Sequence, residues 1–299
     1  MIANSKNIDV SIIIVSYNTC QLTRECIRSV YERTTDISFE LIVVDNASAD
    51  NSAEAIKKEF PNVVVIESVE NLGFGKANNI GAEQTTGKYL FLLNSDTILL
   101  NNAVKILADF LDDNPTVGIC GGNLFDENKS PAHSYFSYLP SIKWELNDLT
   151  GGLLGKLLYR KNTQFNHSDR PRKVGYITGA DLMIRTSLFK KLNGFDPDFF
   201  MYFEETELTY RVKKMGYGVY SVPRAEITHL EGKSPSPSER KLKQILYSRK
   251  LYYKKTHTRF SIWVCNSIYY MTAILRCFIF TALRNKPKYN RWKFILKNM

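Results

Sequence analysis

The segment Lys88 to Thr97, KYLFLLNSDT, changes character in one step, because an apolar run from Tyr89 to Leu93 stops abruptly at Asn94, Ser95 and Asp96. A parallel strand buried on both faces reads as a continuous apolar run, and ligands of open α/β sheets gather outside the carboxyl ends of such strands. The segment therefore predicts an interior strand that delivers a carboxylate at its tip. An aspartate there offers oxygen to a hard cation such as Mg²⁺ or Mn²⁺, whose other positions can hold phosphate oxygens. The same polar residues also suit a turn and helix cap before the helical stretch Asn101 to Asp113. On this segment alone both readings stand.

The surrounding chain supplies the context. Val10 to Val15, Glu40 to Val44, Val63 to Ile66 and Tyr89 to Leu93 read as strands. Between them, Leu22, Cys26, Ile27, Val30 and Tyr31 mark one apolar helix face, and Asn51 to Phe60, Gly75 to Gln84 and Val104 to Leu111 read as further helices. Strands alternating with helices predict an α/β fold, a doubly wound, Rossmann-like and mostly parallel sheet flanked by helices. From about Phe125 to Arg172 the period is lost amid Ser, Asn, Pro, Gly and aromatic residues, which predicts a long loop with short helices. Regularity resumes at Val174 to Thr178 and Leu182 to Arg185, then a helix from Glu204 to Met215 and strands near Tyr217 to Val222 and Ala225 to His229. A Pro-rich break, Ser234 to Ser238, separates this body from a helical tail.

Charge divides the chain at the same place. Residues 233–299 hold 16 of the 40 Lys and Arg but one of the 30 Asp and Glu, so a mildly acidic body (1–232) carries a strongly basic appendage. Such a tail suits nucleic acid or anionic lipid. Residues 260–283 contain a single charge, Arg276, among many Ile, Leu and Phe, which disfavours nucleic acid. Asn266, Ser267 and the flanking Lys and Arg favour an interfacial helix at an anionic membrane surface over a membrane span, with a helical hairpin or homodimer contact through the C-terminal helices as the other reading. The five scattered cysteines show no pairing or metal spacing and the N-terminus shows no secretory apolar stretch, so a cytoplasmic protein is expected.

Polar groups follow all four early strands: Ser16, Tyr17 and Asn18; Asp45 and Asn46; Asn71 to Asn79; Asn94 and Asp96. In a parallel sheet they converge on one edge, forming a pocket with an aromatic ring for stacking and carboxylates for a base edge or metal. The loop NLGFGKANN (71–79) sets two glycines near a helix start, as close approach to a phosphate or ribose requires, although a plain capped loop reads the same way. In GFDPDFFMYFEETELTYR, Glu204, Glu205 and Glu207 open a helix whose first turn favours negative charge, and Glu207 with Arg211 has the spacing of a surface ion pair. Glu205 lies in an aromatic, desolvating stretch that suits a general base. His229 ends a strand and can act structurally or as a second ligand beside Asp96.

Taken in order, SIIIVSYN, VVDNAS, NLGFGKANN, LLNSDT, ITGADLMIR, GFDPDFFMYFEETELTYR and ITH, spread over roughly residues 9–232, resemble the family 2 glycosyltransferases of the GT-A fold, especially rhamnosyltransferase-like members that build bacterial surface polysaccharides. The resemblance implies a nucleotide-sugar half (about 9–122) and an acceptor half (about 123–232). It implies that Ser16, Tyr17, Asn18 and Asp45 hold base and ribose, that Asn71, Phe74, Asn78 and Asn94 line the donor, and that Gly179, Ala180, Asp181 and Glu204 face the acceptor. It further implies Asp96 and His229 as ligands of Mn²⁺ or Mg²⁺ and Glu205 as the base. The expected partners are a dTDP- or UDP-sugar and a lipid-linked saccharide, with the enzyme inverting and peripheral on the cytoplasmic membrane face. Two departures stand out: Asn94 replaces the first acid of the family's Asp-x-Asp, and Glu204-Glu205 replaces its Glu-Asp pair. A nucleotidyltransferase is the enzymatic rival, disfavoured because SYNTCQLT stands where a Gly-rich basic loop belongs; an inactive nucleotide-binding membrane scaffold is the other.

Overall fold

The computed structural model describes residues 8–159, 163–230 and 238–299, so most of the Pro-rich break lies outside the described residues. The first half runs Val10–Ser16 (β1), Cys20–Arg33 (α1), Phe39–Asp45 (β2), Ser52–Glu59 (α2), Val64–Glu67 (β3), Phe74–Glu83 (α3), Tyr89–Asn94 (β4), Thr97–Leu99 (β5) and Ala103–Asp113 (α4). The middle runs Val117–Phe125 (β6), Tyr135–Phe136 (β7), Ile142–Leu149 (α5), Leu153–Tyr159 (α6), Arg172–Lys173 (β8), Tyr176–Ile177 (β9) and Asp181–Arg185 (β10). Then follow Thr186–Lys191 (α7), Glu204–Lys214 (α8), Gly218–His229 (β11), Glu239–Thr256 (α9), Arg259–Ala282 (α10) and Lys286–Asn298 (α11).

The main sheet has the order β3-β2-β1-β4-β10-β6-β11-β5, with β8 on β11. Its first four strands are parallel, and their register sets Ser16 opposite Asp45 and Val15 opposite Asn94, so the polar tips end level. Alternate residues of each strand feed opposite faces. Ile12, Ile14, Phe91 and Leu93 pack with Cys26, Ile27 and Val30 of α1 and Leu107 and Leu111 of α4. Ile13, Leu90 and Leu92 pack with Ala77 of α3, Leu188 of α7 and Leu208 and Val212 of α8. Each such side chain contributes about 1.5–3 kcal/mol by leaving water, which explains why these strands read as unbroken apolar runs. Tyr31, expected on the buried face of α1, is largely exposed and stacks on Phe60.

Three differences from the sequence reading position the site. Asn94 to Thr97 is a turn into β5, closed by the Thr97 hydroxyl donating to the Asn94 carbonyl (2.8 Å), while Asn102 precedes α4; the helix-cap reading therefore falls. Second, β6 is a fully internal strand that composition hides, since VGICGGNLF carries three glycines. A Cβ on Gly122 would lie 2.5 Å from the Ala225 carbonyl oxygen, so the strand needs glycine where neighbouring backbone approaches. Third, β10 runs antiparallel to both β4 and β6 in an otherwise parallel neighbourhood.

The tail packs on the body. Phe199 is buried with Tyr252 and Tyr253 of α9 and Cys265 of α10, with Ile142 of α5 and Phe203 against them. Arg249 donates to Glu145 of α5 (2.8 Å) and to Asn266 (3.0 Å), and the Tyr253 hydroxyl donates to the same Glu145 oxygen (2.6 Å). Removing one partner of a buried ion pair strands the other charge, a cost of about 3–5 kcal/mol. The tail helices are thus held to the body by its most buried charge pair rather than hung from it.

Candidate active site

Level strand tips place the predicted polar residues along one rim. After β1, Tyr17 and Asn18 are exposed, and Asn18 closes a reciprocal pair with the next tip: its N–H donates to Ser48 Oγ (3.0 Å) and its Oδ1 accepts from Ala49 N–H (2.7 Å). Asp45 is buried; one oxygen accepts from Ser48 N–H (3.1 Å), while Oδ1 has no protein partner. A buried carboxylate oxygen left without a donor loses solvation, which a ligand N–H would restore. Ser16 differs from expectation: its fully buried hydroxyl lies 2.9 Å from that of Thr23 and 3.3 Å from that of Thr19, so its side chain locks α1 to the strand rather than facing the rim.

The Asn71–Asn79 loop is anchored by a β2-tip residue to which the sequence gives no individual role. Asn46 donates to Asn71 Oδ1 (3.0 Å) and to the Gly73 carbonyl (3.2 Å), and accepts from Leu72 N–H (2.8 Å). Gly73 sits at φ +80°, where a Cβ would collide with the Phe200 carbonyl that accepts from Phe74 N–H (3.0 Å). Asn78 is buried in α3, bonded to the Phe74 carbonyl, with Oδ1 unpartnered. Phe74 itself turns toward Phe195 (6.0 Å between centroids) and toward Gly179.

At the β4 tip, Asp96 and His229 meet. Pairing of β5 with β11 sets Thr97 opposite His229, Leu230 N–H donates to the Asp96 carbonyl (2.9 Å), and the side chains come within 3.2 Å, Oδ1 to Nε2. Asn94 Nδ2 lies 3.4 Å from the same imidazole nitrogen. One carboxylate oxygen and one imidazole nitrogen converging at a sheet rim fit a divalent cation. Among the described residues no third acid, histidine or cysteine joins them, so a bound phosphate would have to complete the shell.

The α8 N-terminus reaches the β4 tip through β10. Because β10 is antiparallel to β4, its first residues arrive where β4 ends, and the Ala180 carbonyl accepts from Asn94 N–H (3.0 Å). A Cβ on Gly179, one residue earlier, would lie 3.6 Å from Phe74 Cε1 and 3.9 Å from Glu205 Cγ. The Phe74 loop, the β4 tip and Glu205 thus converge on Gly179. Asp181 does not face this space: it is fully buried, accepts from Gly122 N–H (2.5 Å), and burial pushes its carboxyl far above the usual range. Its role is to tie β10 to β6.

The two adjacent glutamates are in different settings. Glu204 is buried with Oε2 unpartnered, and burial together with the neighbouring Glu205 charge raises its carboxyl strongly. Glu205 is partly open, raised by burial but steadied by the Thr206 hydroxyl donating to Oε1 (3.0 Å). Two close carboxyls cannot easily both ionise, and the fuller enclosure of Glu204 disfavours its charged form the more. The expected Glu207–Arg211 surface pair is in fact buried on the glutamate side (2.7 Å), and Arg211 also donates to the Leu192 and Gly194 carbonyls (2.6 and 2.8 Å). Sequence reasoning reads Val174 to Thr178 as a regular stretch but gives Tyr176 no role, although its buried ring lies beside Glu205 and Thr206; the two residues of β9 are too few to mark it.

Just before Glu204, Tyr202 and Phe203 both take φ +68°, a left-handed conformation that costs bulky residues about 1–3 kcal/mol each. The tail supports it. Ser248 Oγ donates to the Met201 carbonyl (2.8 Å), the Phe203 ring packs on Tyr252 (5.6 Å), and Lys255 bridges Asp196 and Asp198 (2.7 Å each).

The Glu204 environment is testable. A carboxyl whose folded-state pKa is raised contributes stability below its unfolded pKa and loses it as pH rises through the folded value. Glu204→Gln removes that loss, so its melting temperature relative to wild type should climb between about pH 4 and pH 8. A constant difference across that range would contradict a buried, protonated Glu204.

Comparison with known proteins agrees with this geometry. Residues 11–192 match the model for "Glycosyl transferase family 2". The chain is 27% identical over 210 residues to an N-acetylglucosaminyl-diphospho-decaprenol L-rhamnosyltransferase of Mycobacterium tuberculosis, covering 65% of this chain and 67% of that one. It is 34% identical over 116 residues to the minor teichoic acid biosynthesis protein GgaA of Bacillus subtilis, 36% of this chain and 26% of that one. Among solved structures, GalNAc-T7 with UDP, GalNAc and Mn²⁺ superposes with TM-score 0.58 at 17% identity, covering 83% of this chain and 50% of that one. S. aureus TarS 1-349 with UDP gives TM-score 0.55 at 16% identity, covering 92% and 72%. The chain belongs to glycosyl transferase family 2, and it is a glycosyltransferase of the GT-A fold.

Proposed function

We propose that this enzyme transfers a sugar, rhamnose or another deoxyhexose carried on dTDP or UDP, with inversion onto a lipid-linked glycan during synthesis of a cell-surface polysaccharide. The observation that carries this reading is the convergence at Gly179 of the Phe74 loop, the Asn94 strand tip and Glu205. The mycobacterial relative's named reaction and the teichoic acid relative support the substrate class. Asp45, with its unpartnered oxygen, and the exposed Tyr17 ring suit the base of the nucleotide.

In the proposed step, Glu205 takes the proton of an acceptor hydroxyl as that oxygen bonds to the anomeric carbon, and the bond from that carbon to the nucleoside diphosphate breaks on the opposite face. Its raised carboxyl moves basicity toward neutral pH, where a general base works best. Asp96 and His229 would hold Mn²⁺ or Mg²⁺, which when bound offsets charge on the departing diphosphate. Glu205→Gln should lower kcat by about 10²–10⁴-fold while leaving donor affinity unchanged; wild-type turnover in that variant would remove Glu205 from the role. Asp96→Ala should abolish the Mn²⁺-dependent part of the thermal stabilisation given by UDP or dTDP, and full metal-dependent stabilisation would refute the site.

The proposed location is the cytoplasmic membrane surface. α10 is long and apolar enough to cross a membrane, but Cys265, Ile268, Thr272 and Ala273 are buried within the protein, which favours lying on the surface. Its opposite face exposes Phe260, Trp263, Tyr270, Ile274 and Phe278 at helical spacing, flanked by the basic segments. Because α9 and α10 share the core with Phe199, truncation would confound folding with binding. Combined Trp263→Ser and Phe278→Ser is the cleaner variant. It should leave vesicles containing anionic lipid while keeping its melting temperature; retained binding, or a change from dimer to monomer instead, would overturn the membrane reading.

A further inference from the structure

A line of aromatic rings leads away from Glu205. Tyr176, beside Glu205 and Thr206, stacks on Phe136 at 4.6 Å and 12°; Phe136 lies 4.6 Å from Trp144, Trp144 6.1 Å from Tyr138, and Tyr138 5.9 Å from Tyr159. Beyond Tyr176 these rings are half-buried and form one wall of a cleft of about 490 Å³ between α5, α6 and α10. Lys156 and Arg276 line the same cleft, and Lys143 lies over the Tyr138 and Tyr159 rings at 5.0 and 5.4 Å. The acid within it is Asp148, opposed by Arg276, Arg291 and Arg249, so the net local charge is positive. Leu153, Leu157 and Leu158 of α6, the helix that carries Lys156, stand exposed, as do Ile274, Leu275 and Phe278 of α10, the helix that carries Arg276.

We infer that this cleft receives the head of the lipid-linked acceptor: sugar against the aromatic wall, diphosphate at Lys156 and Arg276, and isoprenoid chain over the exposed leucines toward the membrane. The order of chemistry along the cleft carries the inference. Rings that can stack on sugar faces run from Tyr176, beside Glu205, to Trp144, and one helical turn farther along α5 the Asp148 carbonyl holds Arg276, a cation that can pair with phosphate; the exposed leucines of α6 follow in the chain. Gly151, Gly152 and Gly155 line the cleft beside the cations, and a Cβ on Gly152 would meet nothing within 4 Å, which leaves room there. Arg276, the single charge within residues 260–283, donates to the Asp148 carbonyl (3.0 Å) and is thereby held at the cleft. The inference rests on the lipid-linked acceptor of the proposed function, and it adds the site and the residues.

Calorimetric titration of the full chain with farnesyl diphosphate, and with farnesyl diphosphate bearing N-acetylglucosamine, tests it without turnover. Farnesyl diphosphate should bind at least tenfold more tightly than either inorganic pyrophosphate or farnesol. Lys156→Gln, an exposed position, and Arg276→Gln should each weaken it at least tenfold while leaving UDP and dTDP affinity unchanged. Adding the sugar should tighten binding to wild type but not to Trp144→Leu. Wild-type binding in both cation variants, or competition between farnesyl diphosphate and UDP for one site, would overturn the assignment. Because no step needs Glu205, failure of the base assignment leaves these titrations intact, and failure of the titrations leaves the donor chemistry intact.

Discussion

The reversal of β10 against β4 is the constraint from which the rest of the site follows. Parallel strands send all their carboxyl ends to one rim, which serves a single ligand but brings no later segment to the same point without a crossover. An antiparallel strand in the middle of the sheet starts where its neighbour stops. The hydrogen bond from Asn94 to Ala180 is therefore a meeting of two chain segments of opposite direction, and Gly179 is the junction where they touch Phe74 and Glu205. Asp181, buried and bonded to Gly122, holds that junction to β6, where the glycines allow close backbone approach.

Electrostatics then sorts residues that look alike in sequence. Glu204 and Glu205 differ in one position and in almost everything physical: one is enclosed with an unpartnered oxygen, the other is partly open and steadied by Thr206. Asn94 in place of an acid removes a second negative charge from the rim and leaves Asp96 as the carboxylate beside the His229 imidazole. A neutral amide beside the imidazole repels an anion at the rim less than a carboxylate would.

Much of the first half was legible in the sequence, because β1, β2 and β4 are largely buried and therefore announce themselves as apolar runs, and because their polar tips differ so sharply from them. What was hidden followed from packing across the chain. Strand β6 is glycine-rich because of Ala225 and other distant neighbours, so its sequence resembles a loop. Asp181 reads as an exposed acid until its partner Gly122 is known, and Ser16 reads as a ligand until Thr23 claims its hydroxyl. Tyr176 has no local signature, since two residues of β9 carry no period. The tail read correctly as basic, aromatic and helical, but the burial of Arg249 against Glu145 depends on two residues more than a hundred positions apart.

The family match ends at residue 192, ahead of Glu205, His229 and all three tail helices. Yet α9 grips the backbone at Met201 and bridges Asp196 and Asp198, supporting the left-handed turn from which Glu205 departs. Engine and mount are consequently one casting. The change of composition near residue 232 therefore does not separate two independent parts, and an exchange of tails between relatives would carry along part of the scaffolding that holds Glu205.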